Sequence, residues 1–146
     1  MILAAMQRII EAVQAALYRY GGALNKFLAD DKGTTLIAAF NLPMPAAAAA
    51  AAAFFSHHPT RAVASAVDAR DALRAVGVRS SIGVTTGVAF AGVVGGAERK
   101  EYTIIGDSVN LAARLMQAAQ GRVLVDVPTY QEAHAKETLA FTSLPA

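Results

Sequence analysis

Two kinds of spacing between hydrophobic residues alternate along this chain. Apolar residues at three- and four-residue spacing are typical of amphipathic helices, whereas alternating or β-branched runs are typical of strands. The first kind predicts helices over residues 1–17, 60–76 and from 107 onward, with a short one over 128–135. The second predicts strands over residues 23–28, 34–40, 80–91, 102–105, 122–127 and 139–142. An order of strand, helix, strand, strand, helix, strand is the ferredoxin-like split βαβ plan of an α+β domain.

The most informative stretch joins a strand to a helix. The run from Tyr102 to Ile105 is β-branched and aromatic, Gly106 interrupts it, and we expect Asp107 to cap the following helix. A buried stripe on that helix is predicted from three- and four-residue spacings, at Val109, Ala112, Ala113 and Met116.

Two polar residues of the same helix share a face, because Asn110 and Arg114 are one turn apart. An arginine offers a planar fork of donors to phosphate oxygens, and an asparagine amide can bind a sugar hydroxyl or ring oxygen. The pair therefore suits a phosphate ester. The alternative is that both are ordinary surface residues, with Arg114 paired to a nearby carboxylate.

Composition limits the classes of function. With 146 residues, 55% hydrophobic and 16% charged, the chain is expected to form one folded domain over residues 1–146. A net charge of +2 without a basic block argues against nucleic acid, and the absence of cysteine excludes a thiolate metal site. The apolar run 42–55 is too short to span a membrane, and its alanine stretch 46–53 is a low-complexity insert.

The run from Glu101 to Leu115, together with 82–87 and 92–95, resembles the class III nucleotidyl cyclases, in particular the second cyclase domain of soluble adenylyl cyclases. The similarity extends from about residue 21 to residue 127. It implies a cyclase domain of the split βαβ class that lacks its first strand, the strand that carries a metal-binding aspartate in the family. We therefore expect an N-terminally truncated domain.

The resemblance implies a role for each matching residue. Arg114 would stabilise the charged transition state, Asn110 would orient the ribose, and Lys26 and Thr103 would read the purine edge, with help from the backbone of Ile104. Lysine and threonine at these places resemble the adenine-selecting set, whereas guanylyl cyclases typically have Glu and Cys. Without the resemblance, Lys26 reads as a solvated surface cation.

Metal binding is expected to come from elsewhere. Metal-bearing cyclase domains have a Gly-Asp in the first hairpin, but here the hairpin is longer and Ala29 precedes Asp30 and Asp31. We interpret both aspartates as turn residues and expect a partner domain to hold Mg²⁺ or Mn²⁺. The adjacent His57 and His58 are likewise interpreted as loop residues, since neighbouring side chains diverge and no third ligand is near.

The expected function is adenylate cyclase: cyclic AMP and pyrophosphate formed from ATP, at a site shared with a second cyclase domain. That domain would belong to a homodimer, a heterodimer or the same parent chain, and this chain alone would be inactive. The expected location is the cytoplasm, or the cytoplasmic face of a membrane through a parent protein. The alternatives are a non-catalytic regulatory or dimerisation module, a guanylate cyclase, and, least favoured, a nucleic-acid-binding ferredoxin-like domain.

Overall fold

The structure is a computed structural model that describes residues 2–31, 33–41, 58–133 and 139–145. The alanine insert 46–53 and His57 lie outside these ranges. Four helices and six strands are present in the described part of the chain. In order they are α1 (Ile2–Arg19), β1 (Ala23–Asp30), β2 (Gly33–Ala39), α2 (His58–Ala75), β3 (Ile82–Val84), β4 (Phe90–Gly95), β5 (Lys100–Ile105), α3 (Asp107–Ala118), β6 (Val123–Val125) and α4 (Val127–Glu132).

The strands form three pairs. β1 and β2 make one antiparallel hairpin, and β4 and β5 make a second. β3 pairs in parallel with β6, the strand that follows α3 in the chain. A register shift between Leu24 and Lys26 leaves Asn25 as a bulge in β1, and the Asn25 side-chain amide donates to the Tyr102 carbonyl of β5 at 3.0 Å. This bond joins the two hairpins. The mixed architecture confirms the predicted α+β class.

Glycines end the two long helices as the sequence predicts. Gly21 has a φ of 74°, and the next amide, that of Gly22, returns to the Leu17 carbonyl at 2.8 Å. Gly77 has a φ of 80°, and Val78 returns to the Leu73 carbonyl at 2.9 Å. Both are C-terminal caps in which a residue in the left-handed region lets the chain reverse.

The core lies between α2 and the parallel pair. Val63 and Ala66 of α2 pack against Val84 of β3, with Val123, Val125, Leu139 and Phe141 at the margin. The Arg61 guanidinium is also buried and donates to the Tyr20 carbonyl at 3.1 Å. Burial lowers the pKa of Arg61. The Tyr20 hydroxyl donates to Asp68. This hydrogen bond is the largest cause of the raised pKa of Tyr20, and burial is the second.

Helix α3 lies directly on the backbone of β3. A Cβ atom built on Gly83 would approach the Ala112 carbonyl oxygen to 2.2 Å and the Met116 nitrogen to 2.8 Å. Only a glycine permits this approach, because real Cβ atoms do not come so close to backbone atoms. The contact therefore fixes which side of α3 faces the sheet.

Three predictions about the end of the sequence and α3 are wrong. Asp107 is the first residue of α3 and not its cap; Gly106 occupies the cap position and offers no side-chain bond. Ala113 is exposed, because the side of α3 that meets β3 is formed by Ala112, Leu115 and Met116. Residues 139–142 do not form a strand; Phe141 instead packs its ring edge-on to Tyr130, with 5.2 Å between centroids.

The predicted strand pair over 80–91 is also shorter than expected. β3 ends at Val84, and the side chains of the next two residues bond to other elements. The Thr85 hydroxyl donates to the Ser108 carbonyl at 2.6 Å, and the Thr86 hydroxyl bonds to that of Thr129 at 2.8 Å. In the described ranges, no helix is both long and apolar enough to cross a membrane.

The Gly83 contact gives a stability prediction. Gly83→Ala should lower the free energy of unfolding by about 1–3 kcal/mol, because the added methyl group overpacks the α3 backbone. Denaturant titration followed by circular dichroism measures this. Gly96→Ala is the matched control, since nothing lies within 4 Å of a Cβ atom at Gly96; we expect a change within about 0.5 kcal/mol. Equal stability of both variants would contradict the close packing of α3 on β3.

Candidate functional site

The site is organised around the junction of β5 and α3. Gly106 joins them in an extended conformation, and a Cβ atom there would lie 3.0 Å from the Val88 carbonyl oxygen. The bond from Thr85 to Ser108 fastens the first turn of α3 to the end of β3. The junction is thus held from two sides, which gives α3 a fixed starting point.

Asn110 and Arg114 lie on the exposed side of α3. Successive helical residues are about 100° apart, so this pair lies on the side opposite Ala112, which faces β3. Both residues are exposed. Among the described residues, the Arg114 guanidinium has no hydrogen-bond or ion-pair partner. The carboxylate required by the surface-pair alternative is therefore not seen in the described part of the chain.

Lys26 and Thr103 are brought together by the contact between β1 and β5. The Lys26 ammonium pairs with a Glu101 carboxylate oxygen at 3.1 Å, and the two side chains are 26% and 51% exposed. Glu101 and Thr103 are two residues apart on β5 and therefore point to the same side of the strand. The Thr103 hydroxyl donates to the Glu101 carbonyl at 3.4 Å. A cation, a carboxylate and a hydroxyl thus form one polar cluster.

An aromatic ring lies beside this cluster. Thr103 pairs across the hairpin with Gly92, which has no side chain, and the Phe90 ring lies over Gly92, within 2.9 Å of where a Cβ atom would be. Phe90 is 57% exposed. A flat apolar face therefore adjoins the Thr103 hydroxyl. Ile104 is half-buried on the other side of β5, opposite Ala91.

Asp30 and Asp31 lie at the tip of the first hairpin. The Asp30 carboxylate accepts the Gly33 amide at 3.1 Å, a side-chain-to-backbone bond that closes the turn. The Asp30 carboxylate is therefore used within the hairpin turn. Within the described ranges, no three His, Cys, Asp or Glu side chains are grouped to hold a metal ion. His58 is the first residue of α2 and not a loop residue, with the buried Pro59 next to it.

The sequence alone did not reveal the contributions of Glu101, Asn25 and Phe90. Each depends on how β1, β4 and β5 are aligned, and that register is set by contacts between residues far apart in the chain. The opposite charges of Lys26 and Glu101 are the one signal that was visible in the sequence.

Comparison with protein families gives a match to the adenylate and guanylate cyclase catalytic domain over residues 30–143. Adenylate cyclase type 10 of Rattus norvegicus is 37% identical over 128 residues, which cover 86% of this chain but only 8% of that protein. The human protein of the same name is 34% identical over an equal span. An uncharacterized protein of Mycobacterium tuberculosis is 36% identical over 104 residues, or 71% of this chain and 17% of that protein.

Solved structures share the fold. A bacterial light-regulated adenylyl cyclase matches with a TM-score of 0.67 at 19% identity, covering 89% of this chain and 66% of that one. The adenylyl cyclase CyaB from P. aeruginosa matches with a TM-score of 0.56 at 27% identity, covering 86% and 64%. Since the family match spans most of the sequence, the chain belongs to the adenylate and guanylate cyclase catalytic domain family.

Proposed function

We propose that this chain supplies one half of an adenylate cyclase site, the half that reads adenine and stabilises the transition state, and that ATP is converted there to cyclic AMP and pyrophosphate. The observation that carries the proposal is the exposed Arg114, which has no partner among the described residues and shares a helix face with Asn110. The polar cluster of Lys26, Glu101 and Thr103 lies on β1 and on β5, the strand that leads into that helix.

The reaction is attack of the ribose 3′ hydroxyl oxygen on the α-phosphorus. The bond from the α-phosphorus to the oxygen that bridges to the β-phosphate breaks, the 3′ hydroxyl proton is released to solvent, and pyrophosphate leaves. Negative charge spreads over the phosphate oxygens in the transition state, so a fixed cation there lowers the barrier. Arg114 takes this role, because its guanidinium is not committed to another described group. Asn110, one turn earlier, holds the ribose so that its hydroxyl is aligned for attack.

Adenine recognition is assigned to the polar cluster. The adenine edge presents a ring-nitrogen acceptor beside an amino donor. The Lys26 ammonium is a donor and the Thr103 hydroxyl can accept, so the two match that edge. Glu101 positions the Lys26 ammonium from 3.1 Å away, and Phe90 offers an apolar face against which a purine ring can lie.

A second cyclase domain is part of this proposal, because Asp30 and Asp31 lie at the tip of a hairpin and, within the described ranges, no three His, Cys, Asp or Glu side chains are grouped to hold a metal ion. The partner would hold Mg²⁺ or Mn²⁺, which neutralises triphosphate charge when bound. Exposed apolar side chains on the two hairpins support a partner surface, among them Phe27, Leu28, Phe90, Val93 and Ile105.

The test is cyclic AMP formation from ATP with Mg²⁺ or Mn²⁺, for this chain alone and for its mixture with a metal-bearing cyclase domain. We expect activity only in the mixture. Activity of the chain alone would contradict the half-site proposal and would indicate that Asp30 or Asp31 binds the metal ion. If neither sample forms cyclic AMP and circular dichroism shows that the chain is folded, the non-catalytic module is favoured instead.

Base selectivity gives a second prediction. Lys26→Glu with Thr103→Cys should shift preference from ATP toward GTP, because a glutamate can accept from the guanine N–H donors. The structure adds a complication, since a glutamate at position 26 would face Glu101 and the like charges repel. We therefore expect the larger shift when Glu101→Gln is added. The ratio of kcat/KM for the two nucleotides measures it, and unchanged ATP preference in both variants would contradict the assignment.

Loss of the free guanidinium gives a third prediction. Arg114→Ala should lower kcat in the mixture by about 100- to 1,000-fold, comparable to removing one preorganised stabiliser of transition-state charge. Stability should stay within about 0.5 kcal/mol, because the residue is exposed. Gln117→Ala, an exposed change on the same helix, is the control and should retain activity. Full activity of the Arg114 variant would return this residue to the surface-residue alternative.

A further inference from the structure

The fold gathers four arginines around one open cleft, although they are dispersed in the sequence. The cleft has a volume of about 510 Å³ and is lined by Arg70 and Arg74 from the end of α2, Arg79 from the following loop and Arg122 from the turn after α3. No acidic residue is part of this lining. A volume of this size is within the range of small-molecule sites.

The cleft is separate from the candidate cyclase site. Its α3 side is formed by residues 120–122, beyond the C-terminal end of the helix, whereas Asn110 lies in the first turn and Arg114 in the middle. Its β3 side precedes Ile82, while the candidate site adjoins the opposite end of that strand through Thr85. The cleft therefore lies beyond the C-terminal end of α3, whereas Asn110 and Arg114 lie within the helix.

Two of the four guanidinium groups are held in place by backbone carbonyl groups. Arg79 donates through Nη2 to the Gln120 carbonyl at 2.7 Å, and Arg122 donates through Nε to the Ala119 carbonyl at 2.9 Å. Gly121, with a φ of 83°, lies against Arg79, and a Cβ atom there would be 2.6 Å from the Arg79 Nε. Each of these two guanidiniums uses one N–H group in the bond described. The remaining N–H groups of each guanidinium are oriented by this bond but do not take part in it.

A further polar group lies in the same wall. Ser80 lines the cleft, and its hydroxyl is shielded from solvent without a hydrogen-bond partner among the described residues. Arg70 is the one lining arginine with a described acidic neighbour, Asp71, at 3.0 Å. Positive charge therefore exceeds negative charge at the cleft, and an unsatisfied hydroxyl adjoins it.

We infer that this cleft binds a small polyphosphate-type anion. Planar guanidinium forks bind phosphate oxygens in a bidentate manner, and several of them in the lining of one cleft favour a group with multiple negative charges. Arg74 is the most informative position to change, because it lines the cleft and no hydrogen bond or ion pair ties its side chain to the described residues.

The test is isothermal titration calorimetry with inorganic tripolyphosphate, performed on the Arg114→Gln chain so that the candidate cyclase site contributes little. We expect binding in this background and an approximately tenfold weakening when Arg74→Gln is added. Arg8→Gln, which removes an exposed arginine of α1 outside the cleft lining, is the matched control and should leave the affinity unchanged. Circular dichroism verifies that all three chains are folded.

Three results would overturn the inference. The first is no binding of tripolyphosphate in the Arg114→Gln background. The second is equal weakening by Arg74→Gln and Arg8→Gln, which would indicate a general effect of net charge. The third is Arg74-dependent binding to phosphatidylserine vesicles with none to tripolyphosphate, which would replace the small anion with a lipid surface.

Discussion

The direct contact between α3 and β3 at Gly83 determines the geometry of the candidate site. A helix normally packs on a sheet through side chains, which allows some rotation about its axis. Here the Ala112 carbonyl and the Met116 amide lie against the strand where a Cβ atom would otherwise be, so rotation is blocked. Asn110 and Arg114 consequently face away from the sheet. Their exposure follows from the one position in β3 that has no side chain.

The pair of Lys26 and Glu101 has a different physical role. Both side chains are partly exposed, and ion pairs of this kind contribute about 0–1 kcal/mol to stability. Such a weak pair orients the ammonium without holding it firmly. The bulge at Asn25, fastened to the Tyr102 carbonyl, keeps β1 beside β5 and so maintains the alignment. Orientation here depends on backbone contacts more than on charge.

Local signals predicted much of the fold. The helices, the first hairpin and the glycine caps at Gly21 and Gly77 depend on neighbours in sequence and were found close to their expected bounds. The shared face of Asn110 and Arg114 follows from helical geometry alone. The burial of Ala113 and the length of β3 beyond Val84 were predicted wrongly, and the pairing of Lys26 with Glu101 was not predicted. All three depend on contacts between distant residues. The arginine cleft belongs to the same class, because its members come from separate segments.

The distribution of charge explains why a half-site is the favoured interpretation. Nucleotide cyclisation needs cations and metal-binding carboxylates around one triphosphate. In the described part of this chain, the exposed Arg114 has no described partner, whereas Lys26 and Glu101 pair with each other and Asp30 closes a turn. The half-site proposal therefore assigns the metal-binding carboxylates to a second domain, and the exposed apolar residues of the two hairpins offer a surface where such a domain can pack.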